Sequence, residues 1–321
     1  MKRVFSLLIF VLLLNGCDDG NLTLETIDFE DGETKNCSDN NIIYKLKENE
    51  ALLLEIPKTT FENEPTDPDS PTVIDIDNST NRVVYRFYNG TVADDNICNT
   101  IPPATPYVSD QWTASSGKIE IATTTKTIPG TIAGSTVITG YNHRIVFKNI
   151  TFTKTNGTQV YETFVFGDYI TPATPLPFGF DKTVDQCPIS KDVYNFTSGE
   201  ALTLENLDAT LIVNEETLPD TPRTAIIGSV KNKLIHRLYS NGVLSASYFC
   251  NTTPPTLPTV SEEWNGVNGV ANVSGIIEVT TIKSGTTAFK HNIVIKNATL
   301  KKDNSTFKLG DVYIYGELLT F

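Results

Sequence analysis

The residues best able to do chemistry are few: the chain of 321 residues has five cysteines and three histidines. Four cysteines fall into two pairs of nearly equal span, Cys37 with Cys98 and Cys187 with Cys250. A thiol pair forms a disulfide or ligates a metal, and metal sites show close Cys-x-x-Cys spacing or a neighbouring His, which neither pair has. His143 and His291 each stand two residues before an apolar residue, Ile145 and Ile293. Strand alternation points them at the core face, so both read as hydrogen-bonded structural histidines. His236 is matched by Tyr85 in the internal repeat described below, which argues against an indispensable role. Asp75 and Asp77, alternating with Ser79 and Asn81, have part of the spacing of a calcium loop. The twelfth position, where such a loop carries Glu, is Arg86, and a solvated turn is the simpler reading.

Motif by motif, nothing assigns a reaction. The sequence holds no nucleophile elbow, no His-Glu-x-x-His, no glycine-rich phosphate loop and no Cys-His constellation. No catalytic residue, metal or cofactor is therefore expected. Carboxylates distant in sequence can still meet in the fold, which keeps an envelope enzyme acting on glycans through a carboxylate pair as the alternative. The acidic stretches 62–69 and 214–220 lack the spacing of a cation loop and read as solvated. Trp112 and Trp264 lie at the same distance past Cys98 and Cys250. That constant offset favours packing against a disulfide over stacking on a sugar ring.

The amino terminus bears on the compartment. Met1-Lys2-Arg3 leads into residues 4–14, whose only polar member is Ser6, the pattern of a secretory signal. The run is too short for a membrane span, which takes roughly 20 apolar residues. Leu14-Asn15-Gly16-Cys17 resembles the lipobox of bacterial lipoproteins, and with Asp18-Asp19 it resembles the start of small Bacteroidota-type envelope lipoproteins. The resemblance implies a signal peptide at 1–16, a diacylglycerol on the Cys17 sulfur and a further acyl chain, of the palmitate class, on its amine. Several chains on one residue anchor stably where one would not. It also implies a tether at 17–21 and a place in the outer membrane, periplasmic or surface-exposed. The inner membrane stays open as the other site, because Asp after the cysteine favours retention there in enteric-type bacteria. An oxidising envelope makes one disulfide per repeat, Cys37–Cys98 and Cys187–Cys250, the expected state of the thiols. The formal net charge is −13, and loss of Lys2 and Arg3 with the signal leaves the chain more acidic. Such a surface repels phosphate backbones and excludes nucleic acid as a partner.

These residues are positioned by a duplicated domain. Arg82-Val83-Val84-Tyr85-Arg86 returns as Lys233-Leu234-Ile235-His236-Arg237, and Glu50-Ala51-Leu52-Leu53-Leu54-Glu55 as Glu200-Ala201-Leu202-Thr203-Leu204-Glu205. The period far exceeds the roughly 20 to 50 residues of solenoids and propellers. Copy 1 is expected at 22–171 and copy 2 at 178–321, with a Pro-rich linker at 172–177 that favours an extended spacer and independent domains. Short Val/Ile/Thr/Tyr/Phe runs broken by Asn, Gly, Asp and Pro predict strands. Residues 73–77 and 83–88 read as one hairpin, and the Asn-Gly turn near 156–157 marks another. The fold class expected is all-β, two tandem β-sandwich domains of Ig-like or jelly-roll type. The function expected is a non-catalytic binding or structural module, anchored by lipid and open to a protein or glycan ligand.

Overall fold

The computed structural model describes residues 26–29, 31–154, 157–251 and 253–321. Cys17, with the signal and tether expected at 1–21, lies outside the described residues. Copy 1 is one eight-stranded sheet: β1 (Lys35–Asn36), β2 (Ile42–Lys47), β3 (Glu50–Glu55), β4 (Thr72–Asp75), β5 (Arg82–Tyr88), β6 (Val108–Pro129), β7 (Thr136–Lys154) and β8 (Gly157–Pro172). The order is β1-β2-β3-β5-β6-β7-β8, all antiparallel, with β4 set against β6. Copy 2 repeats the plan in nine strands: β9 (Thr183–Gln186), β10 (Val193–Phe196), β11 (Glu200–Glu205), β12 (Arg223–Ile226), β13 (Lys233–Ser240), β14 (Thr259–Gly266), β15 (Ile276–Ser284), β16 (Ala288–Lys302) and β17 (Ser305–Thr320). There β14 and β15 together do the work of the single long β6.

The protein is all-β, with two sandwich-like domains, but each comes from one sheet folded back on itself. The strands run as a meander, whereas Ig-like and jelly-roll types need Greek-key crossings. In copy 2 the fold-back closes: β17 pairs with β16 on one edge and, in parallel, with β9 on the other. A bulge bends the last strand of each copy. Ile145 faces Gly167 while Val146 faces Val165, leaving Phe166 as the extra residue, and Tyr315 is the extra residue between Ile314 and Gly316. Both rings are buried in the core. The two glycines have φ of +132° and +155°, and a Cβ on Gly316 would stand 2.8 Å from the Lys182 carbonyl oxygen.

The hairpin expected between 73–77 and 83–88 does not form. Both edges of β5 are taken, by β3 and by the first half of β6, so β4 pairs with β6 beyond its bend. Strand alternation sorts the side chains into two layers. On β3, Leu52 and Leu54 face the inner core with Tyr85, Trp112 and Phe147, while Ala51 and Leu53 face a second cluster under the Cys37–Cys98 disulfide. Trp112 and Trp264 are core residues, each 2% exposed. They pack in the inner core with Tyr85 and Phe307 respectively, away from the cysteines, because Tyr85 and Val84 point to opposite faces of β5.

The copies are not independent beads. Beyond the matched pairs Thr123↔His143 and Thr281↔His291, the first hairpin continues to Pro129↔Thr136, whereas the second ends at Ser284↔Ala288. This longer arm lies on β17. Asp311 donates its N–H to the Ala133 carbonyl at 2.7 Å, Lys308 donates to Thr136 Oγ1 at 2.9 Å, and Ile132 and Ile138 pack against the core of copy 2. Asn304 N–H meets Glu64 Oε1 at 2.6 Å, and the buried Tyr141 and Ser305 hydroxyls meet at 3.1 Å. Leu176, expected in a spacer, packs on the same core, as Ile27 does in copy 1. We expect Ile132→Ser with Ile138→Ser to split one calorimetric unfolding transition into two, since each side chain gives up about 1–2 kcal/mol of apolar burial. A single unchanged transition would show that the joint is held elsewhere.

Candidate functional site

A cavity of about 610 Å³ opens where the copies meet. Copy 1 supplies the start of β7 and the chain leaving β8; copy 2 supplies the end of β13, β14 and the β16–β17 turn. The wall on copy 2 is a small ionic and aromatic station. Trp264 Nε1 donates to Glu262 Oε1 at 2.9 Å, and Lys302 Nζ reaches the same oxygen at 2.7 Å. The ammonium also lies 5.5 Å from the Trp264 ring, whose edge-to-face partner is Phe307 at 5.1 Å. The same station stands in copy 1, where Trp112 Nε1 donates to Asp110 and Lys154 Nζ sits 3.7 Å from the ring centroid.

The chain between the copies is fixed at Glu200, which is 2% exposed. Its oxygens accept the N–H groups of Phe178 at 3.1 Å and Gly179 at 2.8 Å, and one lies 2.9 Å from His236 Nε2. Phe178, held at φ +48°, stacks on the His236 ring at 4.4 Å. His236 Nδ1 is buried without a hydrogen-bond partner among the described residues. Copy 1 keeps the carboxylate and changes its partner: Tyr85 donates to Glu50 Oε2 at 2.6 Å. This explains how Tyr and His can exchange at one position.

His143 and His291 are both wholly buried in matching networks. Nδ1 of His143 meets Thr123 Oγ1 at 2.9 Å and Nε2 meets Thr171 Oγ1 at 2.8 Å, while Thr171 donates to Asn63 Oδ1 at 2.6 Å. His291 does the same with Thr281, Thr320 and Asn214, at 2.8, 2.8 and 2.5 Å. Burial pushes His143 down to about 4 and His291 in the same direction, with Arg223 adding to the latter. The acidic stretches are therefore not merely solvated. Asn63 and Thr66, and their counterparts Asn214 and Thr217, lash each stretch onto its histidine station and sheet. The shared Asn-x-x-Thr of the two stretches carries this signal, and it is easily lost among the surrounding acidic residues.

The remaining candidates have structural partners. Asp77 Oδ1 accepts N–H groups from Ser79, Thr80 and Asn81 at 2.8–2.9 Å, and those bonds hold its carboxyl down to about 2. Asp75 pairs with Lys118 at 2.8 Å. The weak calcium reading thus meets two carboxylates already engaged. Cys37–Cys98 and Cys187–Cys250 are disulfides with Cα separations of 5.3 and 5.1 Å. Among the described residues no three His, Cys, Asp or Glu side chains are grouped as metal ligands. Comparison with protein-family models, curated proteins and solved structures finds no match.

Proposed function

We propose that this chain is a lipid-anchored, non-catalytic binding module of the bacterial cell envelope. The observation that carries the reading is the interdomain cavity: it is of ligand size, it draws its walls from both copies, and it combines aromatic faces with a few placed polar groups. Lipid on Cys17 would hold copy 1 toward the membrane and copy 2 farther from it, with the outer membrane favoured. The partner is a protein segment or a glycan of the envelope, the acidic surface disfavouring nucleic acid.

The glycan-hydrolase alternative asks for a carboxylate pair with one raised acid. Glu205 and Glu263 come together, but both grip Arg237 at 2.7 Å. Burial works to raise each carboxyl, yet the hydrogen bond and charge of Arg237 hold both below the ordinary value. Neither is prepared to act as an acid.

Two measurements test the reading. A fatty-acid probe should label the native chain and leave Cys17→Ser unlabelled; equal labelling of both would remove the anchor. With Trp112→Phe leaving Trp264 as the sole reporter, a panel of envelope oligosaccharides and peptides should include members that change its emission. The response should weaken about tenfold in Lys302→Ala, where the cation beside the ring is gone. No response to any member would overturn the binding reading.

A further inference from the structure

The duplication supplies an internal control, because copy 2 has a cavity where copy 1 is solid. In copy 1 the outer face of β2, β3 and β5 is sealed under its disulfide by Ile42, Leu53, Val84 and Ile97. In copy 2, Asp192 takes the place of Ile42 and Thr203 that of Leu53, as the matching hydrogen bonds Cys37 N–Ile42 O and Cys187 N–Asp192 O and the strand registers establish. The result is a cavity of about 420 Å³ beside Cys187–Cys250. It shares only Tyr239 with the interdomain cavity.

Its chemistry is divided. The floor is polar: Thr203 Oγ1 donates to Glu205 Oε1 at 3.0 Å, and Arg237 bridges Glu205 and Glu263. The wall is aromatic, with Tyr239 and Tyr248 edge to face at 5.2 Å and Tyr194 stacked on Phe249 at 4.4 Å. Burial pushes the Tyr239 hydroxyl up to about 12, so it stays a neutral donor. Asp192 and Glu205 outnumber Arg237 among the lining charges, which repels anions, while the guanidinium opposes a cation. What fits an apolar wall over a planar polar floor is a neutral ring with a C–H face and a rim of hydroxyls.

We infer that the cavity beneath the second disulfide is a binding site for a neutral pyranose sugar, present in copy 2 and filled in copy 1. The site shares the class of the binding reading above but does not depend on the interdomain cavity.

Saturation-transfer NMR on the full chain tests it, with glucose, galactose, mannose and N-acetylglucosamine as neutral probes, glucuronate as the anionic probe and choline as the cationic one. At least one neutral sugar should give signal, and glucuronate and choline should not. Thr203→Leu, which installs the residue copy 1 carries at Leu53, should abolish that signal. Tyr248→Ala, in a half-exposed rim position, should weaken binding about tenfold without touching the core. Silence from all four sugars, binding by choline alone, or a sugar signal unchanged in both variants would each overturn the site. Because the Trp264 response reads the other cavity, failure here leaves that result standing, and the converse holds.

Discussion

Replacing Cys187 and Cys250 together by Ala should lower stability by about 4 kcal/mol, and replacing Cys37 and Cys98 should cost more. The disulfides span 61 and 63 residues, so in the chain-entropy picture each removes a similar, large share of the unfolded chain's freedom. The difference lies in the native state. Cys37 is 1% exposed and packs with Tyr44, Leu53 and Ile97, so its loss also leaves a void in an apolar cluster. Cys187 is buried too, 4% exposed, but it lines the open cavity instead of an apolar cluster, and Cys250 is exposed, so truncation there removes less packing. Urea unfolding of the two double variants measures both effects, with Ala on each side so that no lone thiol complicates the result. Equal losses would mean that the apolar cluster of copy 1 adds nothing to the crosslink.

Acid should destabilise the protein well before its carboxylates titrate. His143 has an ordinary value of 6.5 and is pushed down to about 4. Below about pH 6.5 the unfolded chain takes up a proton that the folded chain refuses. The stability from the neutral buried ring is therefore fully present above that pH and is lost as pH falls through about 4. At 1.36 kcal/mol per unit, this single site removes about 2 kcal/mol by pH 5. His291, shifted the same way, adds to the loss. The urea midpoint should fall between pH 7.5 and pH 5. In the variant with His143→Gln and His291→Gln that fall should be much smaller, whatever the variant's absolute stability. An undiminished fall in the variant would place the acid sensitivity elsewhere.

Local text carried the repeat, the cysteine pairs and the facing of the histidines, because each depends on alternation and spacing within one stretch. His143 and Ile145 share a face as strand geometry requires, and both are wholly buried. Pairing across the sheet was less legible. Residues 73–77 look like the partner of 83–88, yet the bend of β6 offers β4 a free edge that no local pattern announces. The joint between the copies was hidden for a related reason. Ile132 and Ile138 belong to an arm with no counterpart in copy 2, so the residues that fuse the copies lie outside the repeat. The lead-in segments did leave a trace in Ile27-Asp28-Phe29 and Leu176-Pro177-Phe178, two apolar side chains one residue apart ahead of each sheet. Proline in the second example made it resemble a spacer.

Those lead-in segments also decide how the molecule would bear a pull. A load applied ahead of residue 27, where a membrane tether would act, is met first by the Ile27 N–H bond to the Tyr161 hydroxyl at 3.0 Å, then by Lys47 on Asp28 at 3.1 Å, then by the bond from Lys45 Nζ to the Phe29 carbonyl at 2.8 Å. These bonds stand in series along the segment, so they yield one after another. Passing into copy 2, the same load meets Phe178 and Gly179 clamped by Glu200, in parallel with the arm across β17. Loaded bond by bond, the seat nearer the amino terminus is thus the one that yields first. Stretching would release slack there before it strained the joint, and the two domains would keep their mutual geometry while the lead-in of copy 1 lengthened.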